Sequence, residues 1–513
     1  MIDTVSRITD SLRHVASQVD LRGGIRPRGV VRRVGDGVAF VQGLESIGFG
    51  ELLAFDSGAT GMAYDLDAEG IGVVLLSGAD KVTAGDGVRG LNVLPSVSVG
   101  APTLGRILDP LGRPLDDGPP LRTGQRLPLF RPAPAFIERR GVHQSLGTGV
   151  MVIDAAIPIG RGQRELIIGD RSVGKSALVI DIVAAQRRGD MACVYVVIGQ
   201  PMSRVLALRD TLARQGCLEN TAIIAADASM PPGMQYLAPY AGASVAEWFR
   251  DQGRHALVVY DDLTKHADAY RELALLLNRP PGREAFPGDI FYIHAELLER
   301  ATVRRDDHGG GSVTALPIVE TIDSDISGYI PTNLISITDC QIYLDTVRFE
   351  RNQRPAVDIG RSVSRIGSVA QPPLLRAAAR NLRMLISRFE SLEALTRVGL
   401  DVDTSTQRTI SRGRLLRELL GQRRVQCRDV VEQVTTLTAI ARGWLDDVEP
   451  EQACALLRLV LERLQAEQPG LWETMSAGEI PKEDWLAWME QAFTAVRDQA
   501  TPVAAAVREA QKP

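Results

Sequence analysis

The octapeptide Gly169-Asp170-Arg171-Ser172-Val173-Gly174-Lys175-Ser176 fits G-x-x-x-x-G-K-[ST] and limits what this chain can become more than any other feature. The motif works only between a strand and a helix. The apolar run Glu165–Ile168 precedes it and a helical stretch starts at Ala177, so the sequence supplies that setting. The glycines let the backbone curl until successive N–H groups face phosphate oxygens, and the helix N-terminus adds positive potential. Lys175 then reaches the terminal phosphates, and the Ser176 hydroxyl is available to Mg²⁺. Composition sharpens the match: of 58 basic residues only five are lysine, at 81, 175, 265, 482 and 512, so Lys175 is not the by-product of a lysine-rich chain.

At 513 residues the chain is too long for one ordinary core, and its 45% hydrophobic and 24% charged residues are ordinary globular usage. Disorder and collagen-like repeats are excluded. A net charge of −5 leaves no overall basic footprint for nucleic acid or an anionic membrane. Cysteines 193, 217, 340, 427 and 454 are odd in number and include no CxxC pair, which points away from zinc and disulfides and toward a reducing compartment. Apolar runs such as Ile71–Leu76 fall far short of the roughly 20 residues of a membrane-spanning helix. The first residues hold no signal-like apolar stretch, and Asp3, Asp10 and Asp20 make a poor presequence.

Four regions follow along the chain: an arm over residues 1–22, a β-barrel over 23–98, a nucleotide-binding α/β domain over 99–375 and a helical domain over 376–513. Ile2, Val5, Ile8, Leu12, Val15 and Val19 recur at helical steps, making the arm an amphipathic helix that packs on its own domain or docks on a partner. Gly29–Val34 and Val38–Val41 read as a hairpin about Gly35-Asp36-Gly37, and further strands are expected at Glu51–Phe55, Ile71–Leu76 and Val88–Leu94, together a small barrel. Between about 150 and 370, strand-like runs alternate with helical ones, the order of a mostly parallel sheet. Its expected strands are Glu165–Ile168, Cys193–Ile198, Ala222–Ala225, Ala256–Tyr260 and Leu334–Thr338. Expected helices follow at Leu374–Thr396, Thr409–Leu420, Val430–Leu445, Glu451–Glu467 and Lys482–Asp498, with Trp444, Trp472, Trp485 and Trp488 as core fillers.

The phosphate loop needs a carboxylate on a neighbouring strand to hold Mg²⁺, usually through water. Ala256–Asp261 supplies an apolar strand ending in one. Asp262 follows directly, but strand alternation sends neighbours to opposite sides, so Asp261 is the expected metal-facing residue.

The phosphate loop within Pro158–Arg171, the strand end Tyr260–Lys265, the Pro280–Asp289 loop and Ser362–Ser368 together resemble the alpha subunits of F-type ATP synthases, in order and over nearly the whole chain. The resemblance implies a RecA-like P-loop domain inside a head of three alpha and three beta subunits around a gamma shaft. It implies a delta-type stalk subunit at the N-terminal arm, and peripheral attachment to the cytoplasmic face of a bacterial inner membrane. Nucleotide contacts, to ATP or ADP with Mg²⁺, are implied for the loop through Ala177, for Gln200, Asp261, Phe349 and Arg354, and for Gln422 near the base; Ser176 and Asp261 serve the metal. Catalysis belongs to the beta-type sites. In those relatives the strand after the phosphate-loop helix ends in Gly-Glu-Arg, whose glutamate orients the attacking water. Here it ends Gly199-Gln200, and an amide cannot act as the general base that a carboxylate can. Arg365 matches the family's arginine finger, which reaches into the partner's catalytic site. Ala285–Gly288 falls where the family forms an apolar sleeve around the shaft.

Some positions depart from the family pattern: Ser172 and Val173 in the loop, Pro201 and Met202 after Gln200, Cys340 where glycine is usual, Arg361 for an apolar residue, and Arg424 at a second glutamine position. They point to a divergent or second copy of the synthase. Two other readings share the nucleotide domain. A self-sufficient hexameric export-type ATPase would need the glutamate at 200, and an RNA-translocating helicase would need an aromatic and basic strand-binding platform in the barrel region.

Overall fold

The computed structural model describes residues 28–67, 70–397, 403–446, 448–482 and 484–510. The arm expected over residues 1–22 lies outside the described residues. The described residues divide into two units: those up to 95 with 231–233 and 272–280, and those from 96 onward other than 231–233 and 272–280.

In the first unit, β1 (Arg28–Gly35), β2 (Val38–Gln42), β3 (Leu52–Phe55), β4 (Thr60–Asp67), β5 (Gly70–Ser77) and β6 (Gly87–Gly90) close into a barrel in the order β1-β2-β5-β4-β3-β6. The hairpin turn falls where its residues allow it: Asp36 and Gly37 both take positive φ, 49° and 86°, as a tight two-residue loop requires. Val31, Val41, Leu53, Phe55, Val73 and Val88 fill the interior. Strand β4 is an addition to the strands expected from sequence. Its Gly61 weakens the strand signal, yet a Cβ there would come within 2.6 Å of Val73 and 3.1 Å of Phe55, so close packing demands glycine.

The second unit holds a ten-stranded sheet whose main path runs through β7 (Ile107–Leu108), β8 (Glu165–Asp170), β9 (Ala192–Gln200), β10 (Thr221–Asp227), β11 (His255–Asp261), β12 (Ser312–Thr321), β13 (Cys340–Leu344) and β14 (Val363–Ser364). The spatial order is β14-β13-β8-β12-β11-β9-β10-β7, parallel throughout except for the edge strand β14. Four of the expected strands are β8 to β11. The fifth, Leu334–Thr338, is corrected: it lies in a helix and the turn after it. Ile330, Leu334 and Ile337 are buried at steps of four and three, a helical spacing, and the strand is the next run, Cys340–Leu344.

Strand β12 is also new, its signal broken by Pro317. The proline is tolerated because pairing changes partner there: β12 registers with β11 up to Tyr260↔Pro317 and with β8 from Ile167↔Ile318 onward. From β8 the chain crosses two strands to reach β9, and the phosphate loop opens at that reversal, beside the carboxyl ends of β9 and β11.

Helices α1 (Met151–Ala156), α2 (Lys175–Ala185), α3 (Met202–Arg214), α4 (Pro232–Asp251), α5 (Leu263–Leu276), α6 (Ile290–Leu298), α7 (Tyr329–Ile337) and α8 (Thr346–Glu350) alternate with the strands. The C-terminal region is helical: α9 (Pro373–Ala379), α10 (Leu382–Arg397), α11 (Thr404–Leu419), α12 (Val430–Arg442), α13 (Pro450–Glu467), α14 (Pro469–Ser476) and α15 (Trp485–Ala510). The single helix expected over Leu374–Thr396 is two, α9 ending at Ala379 and α10 starting at Leu382 after a turn at Arg380 and Asn381. All four C-terminal tryptophans pack, partly buried, against the core. Among the described residues no helix is long and apolar enough to cross a membrane.

Gly413 in α11 tests the packing of this region. An exposed helical glycine gains about 1 kcal/mol on replacement by alanine. A Cβ at Gly413 would instead overlap the ring of Phe389, itself 2% exposed. Gly413→Ala should therefore lower the thermal unfolding midpoint of the chain, by about 1–3 kcal/mol of stability, and calorimetry would detect it.

Candidate functional site

Strand β8 carries the backbone to Asp170, and the loop then turns through Ser172 (φ 68°) and Gly174 (φ 98°) into α2 at Lys175. Val173 is 2% exposed and anchors the loop, while Arg171 and Ser172 face outward. The main-chain N–H groups of Ser172, Val173 and Gly174 have no protein acceptor among the described residues. An anion seated there would meet open donors at a helix N-terminus.

Lys175 is buried, and its Nζ donates to the carbonyls of Gly169 (2.8 Å) and Asp170 (2.6 Å), with Glu320 at 3.7 Å. Burial pulls its pKa below the ordinary lysine value against the opposing charges of Glu320, Asp262, Asp261 and Asp170. The Asp170 carboxylate is turned to brace the loop. It accepts from Thr321 Oγ1 (2.6 Å), Ser324 N–H (2.9 Å), Ser324 Oγ (2.8 Å) and Thr346 Oγ1 (2.9 Å). Burial pushes this carboxyl up, but those bonds together hold it below the usual carboxylate range.

Asp261 and Asp262 part company at the end of β11. Asp261 is 5% exposed and accepts from the Tyr195 hydroxyl at 2.7 Å, with Ser176 and Gln200 also bonding toward it. Burial pushes its carboxyl up, and these three donors and Lys175 favour the charged form. Asp262 accepts from Lys265 N–H at 2.8 Å at the start of α5, and burial pushes it up to about 7. Gln200, the last residue of β9, donates through Nε2 to the Asp261 carbonyl at 3.1 Å. Ala177 stands in the first turn of α2.

Phe349, Arg354 and Gln422 form a connected wall beside the loop. The ring of Phe349 would lie 3.8 Å from a Cβ at Gly174, and the Arg354 guanidinium stacks on that ring at 4.8 Å. Gln422 N–H donates to the Arg354 carbonyl at 2.7 Å. The Gln422 side chain is committed to main chain: Nε2 donates to Gly149 O (2.7 Å) and Gln426 O, and Oε1 accepts from Met151 N–H (3.2 Å). Arg365 is exposed, and among the described residues its guanidinium has no ion pair.

Three groups of this site escaped the sequence reading. Tyr195 lies mid-strand in β9 and looks like core. Glu320 is the penultimate residue of β12, and recognising that strand would have drawn attention to the carboxylate near its end. Asp181 on α2 accepts from Val425 N–H at 2.9 Å, joining the phosphate-loop helix to the segment after α11, a contact no local pattern carries.

A strand, phosphate loop and helix at the reversal of a mostly parallel sheet, with a carboxylate ending a nearby strand, define a P-loop nucleotide-binding protein. The family described as ATP synthase alpha/beta family, nucleotide-binding domain, matches residues 149–364, and the ATP synthase alpha/beta chain, C terminal domain, matches residues 371–496. The chain is 43% identical over 474 residues to the ATP synthase subunit alpha of Aquifex aeolicus, covering 92% of this chain and 94% of that one. It is 52% identical over 428 residues to ATP synthase subunit alpha 2 of Burkholderia thailandensis (83% and 77%), and 50% identical over 459 residues to that of Burkholderia mallei (90% and 68%). The chain belongs to the ATP synthase alpha-subunit family.

Asp181 gives the site a pH signature. Burial pushes its carboxyl up to about 6, above the ordinary 3.8, so the folded chain favours the protonated form. Its contribution is fully present below about pH 4 and is lost as pH rises through 6. Asp181→Asn keeps the acceptor for Val425 and removes the charge. Relative to the parent, its stability by urea unfolding should match at pH 4, rise between 4 and 6 and level off above, by on the order of 1 kcal/mol after solvent screening.

Proposed function

We propose that the chain is the alpha-type subunit of a rotary ATP synthase head, binding Mg-ATP at a site that does not hydrolyse it and lending Arg365 to the catalytic site of the adjacent beta subunit. The observation that carries the reading is the pairing of an open phosphate loop with an amide: Gln200, bonded to Asp261 O at 3.1 Å, ends the strand where a hydrolysing site needs a carboxylate. The loop N–H groups and Lys175 grip phosphate, and Phe349 with the stacked Arg354 offers a flat wall to the base, which Gln422 braces from behind. The residues fit Mg²⁺: the half-buried Ser176 bonds toward the buried Asp261 carboxyl, where burial disfavours the free carboxylate. When bound, the ion would neutralise phosphate charge, and Ser176 with Asp261 would hold it, Asp261 through water.

A guanidinium at Arg365 that is exposed and has no ion pair among the described residues fits a residue that works in a neighbouring chain, where such a finger is worth about 10³–10⁵ in rate. Beta subunits in a 3+3 ring, a gamma shaft at the Ala285–Gly288 loop and a delta-type stalk subunit at the arm complete the assembly. The head would lie at the cytoplasmic face of a bacterial inner membrane, coupled to ion flow through the membrane sector.

The isolated chain should bind ATP in calorimetry with negligible turnover, and robust hydrolysis by the chain alone would instead mark an autonomous export-type ATPase. Lys175→Ala should weaken ATP binding roughly 10- to 100-fold. In the assembled head, Arg365→Ala should collapse multisite turnover while ATP affinity at this chain's own site stays nearly unchanged.

A further inference from the structure

We propose that Cys340 is a positioning residue for Arg365, its thiol fixing the main chain from which the arginine projects. The inference rests on the reading of Arg365 as the residue that acts in the partner site.

The stem of Arg365 is slight. Strand β14 is two residues long and joins the sheet through only Cys340↔Ser364 and Gln341↔Val363. The chain then turns at once, with Gly367 at φ 57°. Two side-chain acceptors hold that turn. The Cys340 sulfur accepts from the Arg365 N–H at 3.0 Å, and Ser364 Oγ accepts from the Gly367 N–H at 3.0 Å. The thiol itself is 3% exposed and lies 3.9 Å from Ser364 Oγ, so the two acceptors form one small polar cluster behind the turn.

Glu165 lies on the neighbouring strand beside the cluster. It is the register partner of Cys340 on β8 and is fully buried. Its Oε2 accepts from Gln163 Nε2 at 2.6 Å, while Oε1 is buried without a well-formed hydrogen bond. Burial and the nearby carboxyl both keep the thiol protonated. A neutral thiol offers one S–H to its polar neighbours and retains lone pairs for the Arg365 N–H. The result is a fixed backbone at residue 365 beneath an exposed side chain: the guanidinium can move, but its point of departure cannot.

The test compares Cys340→Ala, Cys340→Ser and Arg365→Ala in the reconstituted head with its beta and gamma partners. Cys340→Ala removes the acceptor and should lower multisite kcat about three- to tenfold, with assembly and ATP affinity at this chain's own site unchanged. Cys340→Ser, which restores an acceptor, should recover most of the rate. In an Arg365→Ala background the alanine at 340 should cost nothing further, because the thiol acts only through the arginine. Parental turnover by Cys340→Ala, failure of serine to rescue, or a further loss in the Arg365→Ala background would each overturn the inference. If Arg365→Ala itself leaves turnover intact, the finger reading fails and takes this inference with it; if Arg365→Ala collapses turnover while Cys340→Ala is silent, only the role of Cys340 falls.

Discussion

One buried ammonium organises the nucleotide site. Lys175 sits under the loop with its charge held by two carbonyls and faced by carboxylates from three directions: Glu320 on β12, Asp261 and Asp262 at the end of β11, and Asp170 on β8. A lone buried ammonium would lose its proton, and a cluster of buried carboxylates would gain them. The carboxylates oppose the loss of the Lys175 proton, and Lys175 opposes the protonation of Asp261, each against the pull of burial. The arrangement depends on register, since only the parallel alignment of β8, β12, β11 and β9 brings their carboxyl ends to one level. The same alignment places Gln200 over Asp261.

How much of this could be read in the sequence follows from how far apart the interacting parts lie. The hairpin at Asp36-Gly37, strands β8 to β11 and the phosphate loop were legible because period, turn residues and motif are local. Strand β12 was hidden by Pro317, whose place is explained only by the change of pairing partner between β11 and β8. Leu334–Thr338 reads as a strand but lies at the end of the helix Tyr329–Ile337, because a short apolar run carries both periods and the choice is made by which residues the sheet leaves room to bury.

The site divides in the same way. Lys175, Ser176 and Asp261 stand where a motif or a strand-end rule put them, and Asp261 and Asp262 take different partners, Tyr195 and the Lys265 N–H. Asp170 sits inside the motif, yet its carboxylate serves Thr321, Ser324 and Thr346, residues some 150 or more positions away in sequence. Tyr195, Glu320 and Asp181 act through comparable long-range contacts and left no local mark. Gln422, which the resemblance alone singles out, is tied into the fold by distant main chain: its amide is engaged with Gly149, Met151 and Gln426.

A residue that works in a neighbouring subunit obeys a different rule from those above. Groups that serve their own site are recognisable by what they touch, because burial forces each polar atom to find a partner. A group built for another chain must leave its functional end unsatisfied, so the fold can prepare only its stem. On the reading proposed above, Arg365 has that form: a guanidinium that is exposed and has no ion pair among the described residues, on a backbone N–H captured by a buried sulfur. Side-chain ordering on docking costs about 0.5–1.5 kcal/mol, and a backbone already fixed adds nothing to it. Pre-organising the main chain while leaving the side chain free is thus the part of a trans-acting site that one subunit can supply alone.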